Sequence, residues 1–272
     1  MYNHPDFFIT GHRGCPGLMP ENSVEGFVHA VSTGANAIEL DVHITQDREI
    51  AVVHDPIVAE PFYRHPQNIR KMSIYESPSS LLVQWIFGEL PDQKFPRQKK
   101  MKTHIPLLQH VVEAVEAYLV DHSLPHICYD IEIKSEPCNY GILQPHPSEL
   151  CRIIIEKIRS LKISDRCILR SFDFNIIRIL HEEYRDYPVC LITENNLSFR
   201  INTERLGFMP DFYSPVYTSC TDSDINECKR YGVRILPWTV NEPHLMRKFI
   251  ELGVDGIVTD YPDILKDMHK ND

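Results

Sequence analysis

The sequence predicts an α/β fold: a (β/α)8 barrel with one extra hairpin strand and one insertion. Three observations lead to this prediction. The chain has 272 residues, a length that suits one large barrel. Strand-like and helix-like segments alternate along it, which is typical of a parallel sheet covered by helices. Nine segments have the character of strands, and one lies too close in sequence to its predecessor to be its parallel neighbour, which leaves eight.

The predicted elements follow in chain order. The strand-like segments are FFIT (7–10), AIELDVHIT (37–45), IAVVHD (50–55), HICYDIEIK (126–134), CILRSF (167–172), PVCLIT (188–193), DFYSP (211–215), VRILPWTV (233–240) and DGIVTD (255–260). Helices are predicted over about 22–33, 107–119, 148–161, 175–184 and 242–252.

The extra strand is the segment 50–55. Only QDRE separates it from 37–45, whereas a parallel crossover needs about a dozen residues or more. The two segments are therefore predicted to form an antiparallel hairpin, with 50–55 at the barrel mouth. A turn centred between Asp47 and Arg48 would place His54 opposite Asp41.

Residues 57–105 interrupt the alternation and are predicted to form an insertion subdomain that covers the barrel mouth. The catalytic barrel would then consist of 1–56 and 106–272. The insertion has eight Lys/Arg and four Asp/Glu, so it carries +4 in a chain of net charge −10, which leaves −14 elsewhere. A basic cover suits an anionic substrate. A segment that simply lies on the surface in contact with solvent would have the same composition.

Composition and charge exclude several classes of protein. The chain is 43% hydrophobic and 24% charged, which excludes a disordered chain, and its charge of −10 argues against nucleic-acid binding. No apolar run of about eighteen residues is present. The start lacks the basic and apolar parts of a signal peptide. A cytoplasmic location is the default expectation, and a periplasmic or secreted one applies if a signal peptide was removed.

The eight cysteines are irregularly spaced and form no CxxC pair. We interpret them mostly as buried thiols in a reducing compartment, with one or two disulfides as the alternative.

Polar residues cluster at the carboxyl ends of the predicted strands, where chemistry occurs in such barrels. Alternation along a strand places Glu39 with Asp41 on one face, and Glu132 with Lys134 on another. Carboxylates inside strands are costly unless they are paired or bind a cation, and three that converge would repel one another. A divalent metal would relieve this repulsion, and oxygen ligands suit Ca²⁺ or Mg²⁺ better than zinc.

Two histidines at the same mouth, His12 and His54, are candidates for proton transfer. Taken singly, each of these polar residues has a structural explanation; Glu132, for example, could simply pair with Lys134. Their coincidence at one barrel mouth favours a site that cleaves an anionic ester, with phosphate the best fit. The remaining polar residues are interpreted as structural or exposed (His43, Asp130), as a helix N-cap (Asn241) and as structural (Asp260, Tyr261).

Eight ordered motifs between residues 9 and 262 carry a family resemblance. They are His12-Arg13-Gly14, Pro20-Glu21-Asn22-Ser23, Ile38-Glu39-Leu40-Asp41-Val42, Val53-His54-Asp55, Glu132-Ile133-Lys134, Ser171-Phe172, Trp238-Thr239-Val240-Asn241 and Asp255-Gly256-Ile257-Val258-Thr259-Asp260-Tyr261-Pro262. Together they resemble the glycerophosphodiester phosphodiesterase family. The resemblance implies a TIM-type barrel that hydrolyses a small-molecule glycerophosphodiester to an alcohol and glycerol 3-phosphate.

The resemblance also implies roles for individual residues. Glu39, Asp41 and Glu132 would hold one divalent cation, Ca²⁺ or Mg²⁺. The general acid and base would be His12 and His54, in an order that the sequence leaves open, while Arg13 and Lys134 would bind phosphate oxygens. Ser23 stands where the family usually has Thr, and either hydroxyl can cap the following helix. The insertion matches one that the family carries in this position and would form one wall of the substrate cleft.

Phe172 and Trp238 are predicted to pack against the carbons of the substrate, or else to form the barrel rim.

The first alternative function is a lipid-directed lysophospholipase D or cyclising phosphodiesterase, because the insertion contains an apolar run over 81–87 beside basic residues. Membrane contact is the less favoured interpretation of this run. A non-catalytic phosphoester-binding barrel should lack a histidine or carboxylate, and none is missing. An unrelated metal-dependent lyase would leave the His-Arg and Glu-x-Lys pairs unexplained. The headgroup alcohol and the oligomeric state stay open.

Overall fold

Eight parallel strands form a barrel in the computed structural model, which describes residues 4–90 and 92–269. The strands in chain order are β1 (Phe8–Gly11), β2 (Ala37–Ile44), β3 (Ile50–Val52), β4 (Ile57–Ala59), β5 (Lys71–Ser73), β6 (Ile86–Phe87), β7 (Thr103–His104), β8 (Cys128–Ile133), β9 (Cys167–Ser171), β10 (Val189–Thr193), β11 (Phe212–Pro215), β12 (Arg234–Ile235) and β13 (Gly256–Thr259). Around the barrel the order is β12-β11-β10-β9-β8-β2-β1-β13. The predicted barrel is confirmed.

Backbone hydrogen bonds close the barrel between the two end strands of the sheet, β12 and β13. The N–H of Asp255 donates to the carbonyl of Ile235 at 3.1 Å, and the N–H of Val258 donates to that of Pro237 at 3.1 Å. These bonds join the chain around β12 to β13, so that no long unpaired edge remains.

The helices are α1 (Val24–Thr33), α2 (Ser79–Leu82), α3 (Leu108–Asp121), α4 (Pro147–Ser160), α5 (Phe174–Glu183), α6 (Phe199–Leu206), α7 (Asp222–Tyr231), α8 (Pro243–Leu252) and α9 (Pro262–His269). All of these except the short α2 cover the outside of the barrel. Alternate strand residues pack in opposite directions: Phe8, Ile168 and Phe212 belong to an inner apolar cluster, whereas Ile9 and Leu169 belong to the larger cluster that includes the helices. No helix of the described residues is long and apolar enough to cross a bilayer.

The hairpin of β2 and β3 is present, but its predicted register is wrong by one residue. Val42 faces Val52, and the N–H of Val53 donates to the carbonyl of Asp41 at 3.1 Å, so His54 is not opposite Asp41. The turn is centred on Asp47 because the N–H of Thr45 donates to Glu49. A three-residue loop of this kind has one residue in the left-handed conformation. Here that residue is Arg48, whose φ is 64°.

The segment predicted as an insertion forms two small hairpins, β4–β5 and β6–β7, with α2 between them. It has an apolar cluster of its own around Trp85, which is fully buried, and Ala51 and Val53 also belong to that cluster. The segment contacts the loop after β1 and the first turn of α9: the N–H of Lys99 donates to the carbonyl of Leu18, and Arg97 pairs with Asp263 at 2.5 Å.

Helices α2, α6, α7 and α9 are additional to the five that the sequence pattern indicates. Helix α6 has only eight residues and few apolar ones, so its periodicity is weak. For α7 the sequence does contain a signal, because Thr221 and Asp224 form a reciprocal capping box at its start.

The cysteines of the described residues are all free thiols, in agreement with the preferred interpretation. Six are buried, Cys220 is partly buried and Cys138 is exposed.

A buried ion pair joins two neighbouring strands inside the barrel. Arg170 on β9 contacts Asp130 on β8 at 2.6 Å, and the two side chains are 2% and 1% exposed. Burial raises the pKa of Asp130 to about 6 although Arg170 opposes the shift. The structural role predicted for Asp130 agrees with this pairing.

Asp130→Ala is expected to lower the free energy of unfolding by about 3–5 kcal/mol, because it leaves the Arg170 charge buried and unpaired. Urea unfolding measures the change. Arg64→Ala is the control, since Arg64 is 64% exposed in its pair with Glu89 and should cost no more than about 1 kcal/mol. Equal losses in the two variants would contradict the importance of burial here.

Candidate active site

A cavity of about 420 Å³ opens at the carboxyl end of the barrel. Most of the residues predicted for the site line it: His12, Arg13, Glu39, His54, Glu132, Lys134, Phe172 and Trp238. Asp41 does not line the cavity, but it contacts both Arg13 and Lys134. The barrel therefore brings the predicted residues together from six segments of the chain.

The turn after β1 fixes the first part of the site. Arg13 has φ of 46° and Gly14 has φ of 89°, so the chain bends sharply directly after His12. This bend directs the N–H of Arg13 to the carboxylate of Glu39 at 2.8 Å. The same loop leads into α1, whose N-cap is Ser23 as predicted; its hydroxyl accepts from the N–H of Gly26 at 3.0 Å.

Three buried carboxylates converge beneath the cavity. Oxygen atoms of Glu39, Asp41 and Glu132 lie within 4.8 Å of one another. Burial, together with the neighbouring charge of Asp41, raises the pKa of Glu39 to about 8. Such a cluster of hard oxygen donors fits a divalent cation, whose charge would relieve the crowding that raises this pKa.

Two cations already lie against this cluster. Arg13 contacts Asp41 at 3.2 Å, while Lys134 contacts Glu132 at 2.7 Å and Asp41 at 3.4 Å. Burial alone would raise the pKa of Asp41, but these two cations and an amide hydrogen bond from Asn22 at 2.8 Å hold it below its usual range. Asp41 is therefore ionised.

A hydrogen-bond chain orients His12. Its Nδ1 lies 2.7 Å from Asp260, and the other oxygen of Asp260 accepts from the side-chain amide of Asn241 at 2.6 Å. Asn241 also accepts from the N–H of Asp260 at 2.9 Å. The prediction of Asn241 as an N-cap is wrong, because α8 starts at Pro243 after Glu242. Asp260, interpreted from sequence as structural, directly supports a site histidine.

The second histidine has a similar support. The Nδ1 of His54 lies 2.7 Å from Asp55, in a pair that is more exposed than that of His12. The backbone carbonyl of His54 accepts from Nε2 of His43 at 3.0 Å. Burial lowers the pKa of His43 to about 4, so that ring is neutral near pH 7. His43 also lines the cavity, and its structural role stays a prediction. In both site histidines Nδ1 is occupied, which leaves Nε2 for a substrate.

Asp260→Asn is expected to lower kcat by about 10²-fold or more, because the ring of His12 loses its orienting anion. Burial alone would lower the pKa of His12, and the hydrogen bond and charge of Asp260 raise it above its ordinary value. Removing the charge should therefore move the limb of the pH–rate profile that reports His12 to lower pH. A kcat/KM profile from pH 5 to 9 measures the shift. A loss of activity with an unshifted profile would contradict the electrostatic part of this role.

The other half of the cavity is more apolar. Phe172 and Trp238 meet edge to face with ring centres 5.5 Å apart, and the indole N–H of Trp238 donates to Ser214 at 3.0 Å. The Nζ of Lys134 lies 6.0 Å from the Phe172 ring. The aromatic pair therefore lies next to the charged part of the site.

Further lining residues were not predicted from the sequence. They come from the chain after β8 and from the ends of β9 and β10: Ser135, Glu136, Asn139, Gln144, Arg170, Ile192 and Glu194. Their position at the carboxyl ends of strands could have identified them as site residues. Their residue types could not, because these types are common in loops. The lining includes Pro56 but no residue from the described parts of 57–105.

Comparisons with known proteins identify the family of the chain. A model of the glycerophosphoryl diester phosphodiesterase family matches residues 12–264. The glycerophosphodiester phosphodiesterase of Caldanaerobacter subterraneus is 30% identical over 94% of this chain and 95% of its own length. A crystal structure from Silicibacter pomeroyi has a TM-score of 0.82 at 26% identity and covers 98% of this chain and 95% of its own. An Oleispira antarctica phosphodiesterase, solved with the product sn-glycerol-3-phosphate, has a TM-score of 0.77 at 18% identity, with 98% and 97% coverage.

Proposed function

The chain belongs to the glycerophosphoryl diester phosphodiesterase family, and we propose that it hydrolyses small glycerophosphodiesters to an alcohol and glycerol 3-phosphate with one divalent cation and two histidines. Its membership makes it a phosphoric diester hydrolase. One arrangement carries the mechanistic part of the proposal. The buried carboxylates Glu39, Asp41 and Glu132 adjoin a cavity that His12 and His54 also line.

In the proposed mechanism the three carboxylates hold Ca²⁺ or Mg²⁺, which would neutralise charge on the phosphodiester oxygens. When all three carboxylates are ionised, the charges of Arg13 and Lys134 leave the cluster with one negative charge. A divalent cation would favour that ionised state, because it offsets the crowding that raises the pKa of Glu39 to about 8. It would also make the net charge of the cluster positive.

Arg13 and Lys134 bind the substrate phosphate in this mechanism. Each now lies against carboxylates, at distances of 2.7–3.4 Å. Both side chains are about one-fifth exposed, and both line the cavity. They can therefore contact a phosphate oxygen while their carboxylates hold the cation. The charge that grows in the transition state is stabilised by groups already in place.

The two histidines move the protons. One takes a proton from the nucleophile, either water or the neighbouring hydroxyl of the glycerol, and the other gives a proton to the leaving alkoxide. Asp260 and Asp55 hold Nδ1 of His12 and His54, so the exchange takes place at Nε2 in each case. We also propose that 57–105 acts as a subdomain beside the mouth, where its basic residues attract the anionic substrate.

Product analysis with glycerophosphocholine tests this function. We expect choline and glycerol 3-phosphate, because the glycerol phosphate ester should survive. Glycerol and phosphocholine would contradict the proposed bond cleavage. In ¹⁸O-labelled water, direct attack by water places the label in the phosphate at once, whereas attack by the glycerol hydroxyl first gives an unlabelled cyclic phosphate.

A further inference from the structure

The barrel mouth is divided into two chemically different halves. Strands β13, β1, β2 and β8 are consecutive around the barrel, and the carboxylates, histidines and phosphate-binding cations are on or beside them. The other half is formed by β9 to β12. From it the cavity receives Phe172, Ile192, Glu194 and Trp238, together with the buried Arg170.

We infer that the half formed by β9 to β12 binds the headgroup alcohol, and that Glu194 makes the enzyme prefer a headgroup with a cationic ammonium, such as choline or ethanolamine. This inference rests on the proposed function, since it names the substrate class of the same site. Glu194 thereby becomes a specificity-determining residue rather than a catalytic one.

The charge on this half of the mouth is negative. Glu194 is exposed and makes no hydrogen bond or ion pair with any described residue, so its charge is free to act on a ligand. Glu136, on the chain after β8, lines the cavity beside this half, and its carboxylate accepts from the amide of Asn139 at 3.0 Å. Among the described lining residues of this half, Arg170 is the cation, and it is 2% exposed and paired with Asp130 at 2.6 Å.

The aromatic pair supplies a second interaction for an ammonium group. Quaternary ammonium ions bind over the faces of aromatic rings, and Trp is the best of these rings. Trp238 is fixed by its N–H bond to Ser214 and by edge-to-face contact with Phe172, so little freedom is lost when a ligand binds. An aromatic pair beside an unpaired carboxylate suits a methylated ammonium better than a neutral polyol.

The position of Lys134 sets the direction of the substrate. It lies directly after β8, with its Nζ 6.0 Å from the ring of Phe172, which directly follows the neighbouring strand β9. A phosphate bound at Lys134 is therefore next to Phe172. An alcohol that extends away from the metal ligands passes over Phe172 toward Trp238 and Glu194, because β10 to β12 follow β9 around the barrel.

The test compares a cationic and a neutral substrate. The kcat/KM values for glycerophosphocholine and glycerophosphoglycerol are measured in the wild type, in Glu194→Gln and in the control Glu182→Gln. Glu182 is an exposed carboxylate on α5 outside the cavity, so the control makes the same change in net charge. We expect Glu194→Gln to lower the preference for glycerophosphocholine by about 3–10-fold, the range for a partly solvated charge. Glu182→Gln should leave the preference unchanged.

An unchanged preference in Glu194→Gln overturns the inference while the proposed function stands. Absence of hydrolysis of both diesters by the wild type would contradict the proposed function instead. Binding of choline, followed by the fluorescence of Trp238, tests the site without turnover; the other tryptophan, Trp85, is fully buried in the insertion. Choline should bind the wild type more tightly than its neutral isostere dimethylbutanol, and Glu194→Gln should remove that difference. Equal binding of choline to both proteins overturns the inference.

Discussion

His12→Ala is expected to lower kcat for glycerophosphocholine by about 10²–10⁴-fold, the usual contribution of a positioned acid or base. The same loss is expected for His54→Ala, since the two rings serve the two ends of one displacement. A steady-state assay of glycerol 3-phosphate release measures both effects. The double variant should lose little more than the single variants, because residues that act as a unit are not additive.

His244→Ala is the matched control, since His244 is exposed on α8 and outside the cavity. It should retain the wild-type rate. Near wild-type turnover in either His12→Ala or His54→Ala would show that the assigned pair is wrong. Circular dichroism of each variant separates such a result from a failure to fold.

Glu132→Gln is the second substitution with a large expected effect. It keeps the shape of the side chain and removes one of three buried anionic ligands, so the Kd for Mg²⁺ or Ca²⁺ should rise by more than about 10²-fold. Loss of a supporting contact alone costs about 10–100-fold in metal affinity, and loss of a ligand should cost more. Isothermal titration calorimetry measures the Kd, and activity should fall with metal occupancy.

The control for this experiment is Glu156→Gln, since Glu156 is an exposed carboxylate on α4 that pairs with Arg152. Its Kd should equal that of the wild type. A metal affinity that Glu132→Gln leaves intact would exclude the three-carboxylate site. Activity lost without a change in Kd would instead indicate that Glu132 acts through Lys134, which it contacts at 2.7 Å.

The barrel could be predicted from the sequence because its signals are local. Buried strands such as 128–133 are apolar except for polar residues at alternate positions. The short QDRE link excludes a parallel crossover between the strands that it joins. The hairpin register failed for a different reason. It depends on the left-handed conformation of Arg48, which centres the turn on Asp47, and neither residue type requires that conformation.

The residues that line the cavity could be predicted from their motifs, whereas the hydrogen bonds that join one motif to another could not. The carboxylate of Asp260 reaches His12 across 248 positions of sequence, and only the pairing of β13 with β1 brings them together. Asn241 precedes a helix closely enough to suggest a cap, yet its amide binds Asp260. Such contacts depend on closure of the barrel, which cannot be predicted from any single segment of the sequence.

The most direct test of the account is the release of glycerol 3-phosphate from glycerophosphocholine before and after EDTA treatment, with Ca²⁺ or Mg²⁺ then restored. The account predicts that EDTA abolishes release and that one of the two ions restores it, because a cation held by Glu39, Asp41 and Glu132 would neutralise charge on the phosphodiester oxygens. Full activity in EDTA would contradict the metal site, whichever residues carry the protons.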